Sequence, residues 1–179
     1  MKATGIVRRV DDLGRVVIPK EIRRTMRIRD GEPLEIYTSR EGEVIFKKYS
    51  PLGEFANHAE SFAHAISKAA GMTVAINDRD AVVACAGGKK RELMDKPLSA
   101  DLEKLMSTRQ TYVRKGSSAK AVKAVDGAEG STVSLAVPII TEGDLVGSIA
   151  LIGENATVGD AELKLAQAAA IFLGRQFEN

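Results

Sequence analysis

Gly14-Arg15-Val16-Val17-Ile18-Pro19-Lys20-Glu21-Ile22-Arg23-Arg24 joins a β-branched run to a proline and a basic helix start. The run Val16-Val17-Ile18 reads as strand. Pro19 suits the first turn of a helix, where its missing N–H is not needed. In the helix predicted from Pro19 to about Arg27, Ile22 and Met26 lie four apart on one face, and Lys20, Arg23, Arg24 and Arg27 form a stripe on the other side. Upstream, Gly5 to Val10 is short and β-branched, and Asp11-Asp12-Leu13-Gly14 carries turn chemistry, so the order is strand, turn, strand, helix. Asp30-Gly31 closes this unit, and Leu34 to Thr38 and Glu43 to Tyr49 form a second hairpin around Arg40-Glu41-Gly42.

Charge separates this region from the rest. The first 29 residues carry nine Lys and Arg against three acids, a surplus of six, whereas the whole 179-residue chain is only +2. A concentrated basic end suits a phosphate backbone, although on charge alone a solvated face accounts for it equally well. Residues 1–50 are net +4 and residues 51–179 net −2, which suggests two parts with two jobs.

A unit of about 50 residues with four short strands and one helix has too little interior to stand alone. It is expected to fold as a dimer, in which strands paired between chains close a shared barrel, cover open edges and double the arginines offered to a ligand.

The stretch quoted above, followed by Asp30-Gly31-Glu32-Pro33-Leu34-Glu35-Ile36, resembles the DNA-binding domain of AbrB-type transition-state regulators of spore-forming bacteria, over residues 1 to about 50. The resemblance implies a swapped-hairpin dimer and double-stranded DNA as partner, with DNA contacts at Arg8, Arg15, Arg23 and Arg24. The helix stripe by itself selects Arg24 and, more weakly, Arg23; strict alternation does not decide between Arg8 and Arg9, and Arg8 is preferred by resemblance alone. Lys2, Arg9 and Lys20 are secondary candidates, for which solvated charge is an equal reading. Guanidinium is always charged and forks onto phosphate oxygens or a guanine edge. A stubby helix flanked by arginines suggests readout weighted toward DNA shape, hence degenerate operators.

After Pro51, the positions Phe55, Ala59, Phe62, Ile66 and Ala69 repeat at heptad-like spacing in a helix predicted from Leu52 to Ala70, with Gly71 as its stop. Residues 51–70 are therefore read as a linker and oligomerisation helix, with Phe55, Phe62 and Ile66 in a seam that joins chains or docks onto the second domain. His58 and His64 lie six apart, off a common face, and do not make a ligand pair.

Residues 71–179 read as hairpin (72–86), helix (99–107), short strand (111–113), hairpin (132–152) and a final helix (160–177), an α+β order with an antiparallel sheet. Leu135-Ala136-Val137-Pro138-Ile139-Ile140 with Leu145-Val146-Gly147-Ser148-Ile149-Ala150-Leu151 resembles the closing hairpin of GAF domains, which implies a GAF-like sensor and oligomerisation domain. The last helix carries two apolar stripes, one with Leu163, Ala166, Ala170, Leu173 and Phe177, the other with Ala161, Leu165, Ala169 and Phe172. One covers its own sheet and the other, with Leu165 and Phe172, is available to a second chain, which would make two head dimers a tetramer. Lys115 to Ser131 is either a mobile cover over a pocket or a plain surface loop; the ligand-binding residues and the small-molecule effector stay unidentified.

No Gly-rich phosphate loop, metal-spaced Cys/His cluster or nucleophile elbow appears, so neither an enzyme nor a cofactor is expected. Cys85, the single cysteine, reads as a buried hydrophobe. No stretch approaches the length of a membrane span, so a soluble cytoplasmic protein with no membrane partner is expected. The two resemblances together imply an activator and repressor of sporulation genes, nucleoid-associated in the forespore. The alternative is a nucleoid-organising protein or an antitoxin-type autoregulator, since AbrB-like heads occur in both.

Overall fold

A computed structural model describes residues 5–116, 120–154 and 158–178. The chain divides after Tyr49 into two compact units.

In the first unit, helix α1 (Lys20–Thr25) precedes strands β1 (Leu34–Thr38) and β2 (Val44–Lys48), which pair antiparallel with Ile36 opposite Phe46. Ser39 Oγ accepts from the N–H groups of Glu41 and Glu43 and Gly42 takes φ +81°, which closes the hairpin. Helix α1 stops short of the expected Arg27 because Arg27 itself enters the left-handed region at φ +53°.

The segments 5–10 and 15–18, expected as strands, form no ladder within the chain. A β-branched run becomes a strand only against a neighbour, because β propensity is largely a measure of packing on a partner. Here Val7, Val10 and Val17 stay 85%, 65% and 71% exposed. Among the described residues of this unit, Pro19 is the only one that is buried.

The second unit is an antiparallel five-stranded sheet between two helical layers. Its elements are α2 (Pro51–Glu54), α3 (Ala56–Ala70), β3 (Thr73–Asn77), β4 (Val82–Ala86), α4 (Lys90–Leu93), α5 (Ala100–Ser107), β5 (Tyr112–Val113), β6 (Val133–Thr141), β7 (Asp144–Ile152) and α6 (Asp160–Arg175), with strand order β4-β3-β7-β6-β5. Period-two alternation splits its side chains. Val74, Ile76, Leu135, Val137, Ile149 and Leu151 meet α3 and α6 on one face, whereas Ala75, Cys85, Ala136 and Ala150 meet Leu93, Leu98, Leu102 and Met106 on the other.

The predicted helix over 52–70 is two pieces, broken at Phe55. Ser50 caps the first by accepting from Gly53 N–H at 3.2 Å, and Gly71 ends the second at φ +65°. Helix α3 belongs to the core of the second unit: Ala59, Ala63 and Ile66 are buried with Val74, Ile76 and Leu135. Helix α4, between the hairpin and helix expected from sequence, is anchored by the buried Leu93.

Two glycines are set by close packing. A Cβ at Gly147 would lie 2.1 Å from the Asn77 carbonyl oxygen and 2.4 Å from Leu52 Cδ1, and one at Gly174 would lie 2.5 Å from the Ile140 carbonyl oxygen. Beside Gly147, the buried Ser148 hydroxyl donates to Asn77 Oδ1 at 2.8 Å, and Asn77 Nδ2 donates to the Asp78 carbonyl at 2.7 Å, so this polar pair inside the sheet is satisfied.

Candidate nucleic-acid interface

The interface begins with one carboxylate. Asp11 Oδ1 accepts from the backbone N–H of Leu13 at 3.0 Å and of Arg15 at 2.8 Å, and its Oδ2 accepts from Arg15 Nε at 2.8 Å. Backbone bonds from Gly14 N–H to the Asp11 carbonyl and from Asp11 N–H to the Arg15 carbonyl close the turn, which Gly14 makes possible at φ +76°. The hydrogen bonds from the Arg15 backbone and side chain hold the Asp11 carboxyl below its usual range. Arg15 itself remains exposed over 69% of its side chain.

Helix α1 presents the next group. Arg24 and Lys20 are exposed, and Arg23 is half-buried and ion-paired to Asp30, which lies beyond the helix end. Arg8 and Arg9 are both exposed on irregular backbone, so exposure does not separate them any more than alternation did. Lys2 lies outside the described residues. Sequence reasoning did not single out Asp11 and Asp30 as partners of these arginines. The signal for Asp11 was present in Asp11-Asp12-Leu13-Gly14, because an aspartate opening a turn commonly bonds backbone N–H groups two or more residues on.

In the second unit the oligomerisation candidates fall in different environments. Phe172 and Leu165 are exposed at 44% and 39% on α6. The ring of Phe62 packs on that of Phe172 with centroids 5.0 Å apart, and Phe55 meets Phe177 edge-on at 5.2 Å. Ile66 faces the opposite way: it is 3% exposed in the core against the sheet, so it lies outside any outer seam. Of the heptad-like set that picked it out, Ala59 and Ile66 lie on the inward stripe of α3 with Ala63, whereas Ala69 is exposed. Ile171, next to Phe172 in sequence, is also exposed.

The loop expected over 115–131 includes 117–119, which lie outside the described residues. Its later part is packed, with Ala124 and Val125 buried, the Lys123 carbonyl accepting from Ser99 Oγ at 2.6 Å and Ala124 N–H donating to the Ser131 carbonyl at 2.8 Å. Over 120–131 the segment sends Ala124, Val125 and Ser131 into the core and keeps its other residues half-buried or exposed. Cys85 is buried, and desolvation pushes its thiol up to about 11. His64 lies 3.9 Å from Glu60, and His58 packs beside the Phe55 ring. Among the described residues no group of three His, Cys, Asp or Glu could hold a metal ion. No described helix is long and apolar enough to cross a membrane.

Residues 52–178 match the family model of the C-terminal region of stage V sporulation protein T, a transcription factor. Over 179 residues the chain is 48% identical to stage V sporulation protein T of Bacillus subtilis, with 99% of each covered. The chain belongs to the stage V sporulation protein T family. The head of this family member, residues 7–53, also matches the model of the MazE antitoxin, and it is 61% identical over 51 residues to the transition state regulatory protein AbrB of Bacillus subtilis, covering 28% of this chain and 52% of that one. The second unit has the fold of the PixJ GAF domain of Thermosynechococcus elongatus, with a TM-score of 0.52, 15% identity, and 72% of this chain and 90% of that one covered. The α+β architecture with an AbrB-like head and a GAF-like antiparallel sheet, expected from residues 14–23 and 30–36 and from the hairpin over 135–151, is the architecture of this family member.

Proposed function

We propose that this DNA-binding transcriptional regulator of sporulation grips DNA through Arg8, Arg15, Arg23 and Arg24 of two interleaved heads, with Arg9, Lys20 and Lys2 adding secondary phosphate contacts. The observation that carries the reading is a head with only Pro19 buried among its described residues and with its β-branched segments exposed beside a row of arginines. Such a unit gains a core only by sharing strands with a second chain, and that sharing doubles the arginines facing one duplex. Arginine phosphate contacts fix register, and sequence enters through base edges and DNA deformability.

The second unit joins these heads into a larger homo-oligomer, with the exposed stripe of α6 at Leu165 and Phe172, and Phe62 beside it, covered by another copy. A helix bearing large apolar side chains on an outward face is normally covered. A tetramer follows if that copy belongs to a different head pair. We also assign to the GAF-like unit a small effector that shifts operator affinity, acting in the cytoplasm of the forespore. Binding of an effector alters DNA affinity only through different affinities for two head arrangements.

An antitoxin-type autoregulator is the second reading, favoured by the MazE match over residues 7–53. The transcription-factor match over residues 52–178 favours the first. Light scattering on the full chain, followed by titration of a promoter duplex across salt, tests the proposal. A dimer or tetramer with a log-log salt slope of about −5 to −7, for roughly six to eight phosphate contacts, supports it; a monomer, or a slope near zero, contradicts it.

A further inference from the structure

We infer that Asp11 is a positioning residue that aims the Arg15 guanidinium at DNA and thereby sets operator discrimination, at the expense of general attraction to the duplex. The inference rests on the reading of Arg15 as a DNA contact and adds a role for a residue of the wrong sign for a DNA surface.

The geometry separates two jobs of one carboxylate. Its Oδ1 is fixed by the N–H groups of Leu13 and Arg15, so the carboxylate cannot follow a moving side chain. Its Oδ2 then takes Arg15 Nε at 2.8 Å. A guanidinium is planar and rigid, so a bond at Nε fixes the plane and leaves the two terminal nitrogens as a fork. That fork is the element suited to two parallel bonds with a guanine edge or a phosphate. Among the described residues the hydrogen bonds of Arg15 all go to Asp11. The carboxyl is held below its usual range by these same bonds and is therefore ionised at neutral pH.

The cost is electrostatic. An anion in the middle of a basic surface weakens the sequence-independent pull on phosphates. A charge-only effect and a positioning effect therefore differ in sign for operator DNA. Asp12, the next residue, supplies the control: it is exposed, has the same charge and is not a partner of Arg15.

The test uses the full-length protein with Asp11→Asn, Asp12→Asn, Arg15→Ala and the double variant Asp11→Asn/Arg15→Ala. Affinity is measured on a duplex selected by the protein from a randomised pool and on poly(dI-dC). Asparagine keeps an oxygen for the two backbone N–H groups but cannot serve Arg15 Nε equally well, so the turn is retained; circular dichroism and light scattering check folding and assembly.

Asp12→Asn is expected to tighten both duplexes alike. Asp11→Asn is expected to lose about tenfold in the ratio of selected to non-selected affinity, the loss of one bidentate contact. In the Arg15→Ala background, Asp11→Asn should not reduce that ratio further. Equal ratios for Asp11→Asn and Asp12→Asn, or full additivity in the double variant, would overturn the positioning role while leaving Arg15 as a contact. Undiminished binding by Arg15→Ala would overturn the DNA reading of Arg15 itself.

Discussion

Arg15 and Arg24 illustrate how far side-chain type and spacing carry a functional argument. Both are exposed, and one sits on a turn whereas the other sits on a helix. Replacing Arg24 with alanine should weaken binding to all sequences and flatten the salt slope by about one or two units per dimer, read from titrations between low and moderate salt, whereas Arg15→Ala should in addition lower the preference for the selected duplex. A loss limited to one operator base would instead mark direct readout. The helix arginines were legible from the 3.6-residue period; Arg8 against Arg9 was not, because both lie exposed on irregular backbone in a single chain. Cys85 was legible as a core residue from its apolar neighbours. Its thiol, pushed up from 9.0 to about 11 by burial, should resist alkylating reagents in the native protein and react on unfolding. Since the folded state favours the neutral thiol, its contribution is fully present below pH 9.0 and is lost as pH rises to about 11, which urea melts across that window would detect.

The closing hairpin of β6 and β7 was the most legible element, because nine-residue runs of alternating side chains flank Glu142-Gly143, both in the left-handed region. Helix α4 escaped notice because Lys90-Arg91-Glu92-Leu93 shows no apolar repeat and buries Leu93 alone. The spacing in α3 leaves open whether its stripe joins chains or docks onto the second unit, since periodicity reports a buried face without saying what buries it; at Ala59 and Ile66 the second unit's own sheet does. This yields a contrast. Ile66→Ala should cost about 2–5 kcal/mol in chemical denaturation with the assembly mass unchanged. Phe172→Glu should leave the fold of the unit intact and lower the mass seen by light scattering. Gly147→Ala belongs with the first class: a Cβ 2.1 Å from the Asn77 carbonyl forces β3 and β7 apart, with a loss of about 1–3 kcal/mol or more.

As a whole the protein couples a head with almost no core of its own to a unit with two well-packed cores. Sequence charge and length made that division visible, because a basic segment of about 50 residues precedes a mildly acidic remainder. Within one chain the head has only the β1–β2 ladder, and segments 5–10 and 15–18 form none among the described residues; in the proposed dimer a second chain pairs them. The family places the chain among transcription factors, and the proposed mode of action is a paired arginine surface tied to a GAF-like fold. The most direct measurement is the salt dependence of promoter binding by the full protein and by a variant with Arg8, Arg15, Arg23 and Arg24 all changed to alanine. The account predicts a natural slope of about −5 to −7 that falls by about four units or more in the variant, with the assembly mass preserved. Equal slopes and equal affinities for the two proteins would contradict it.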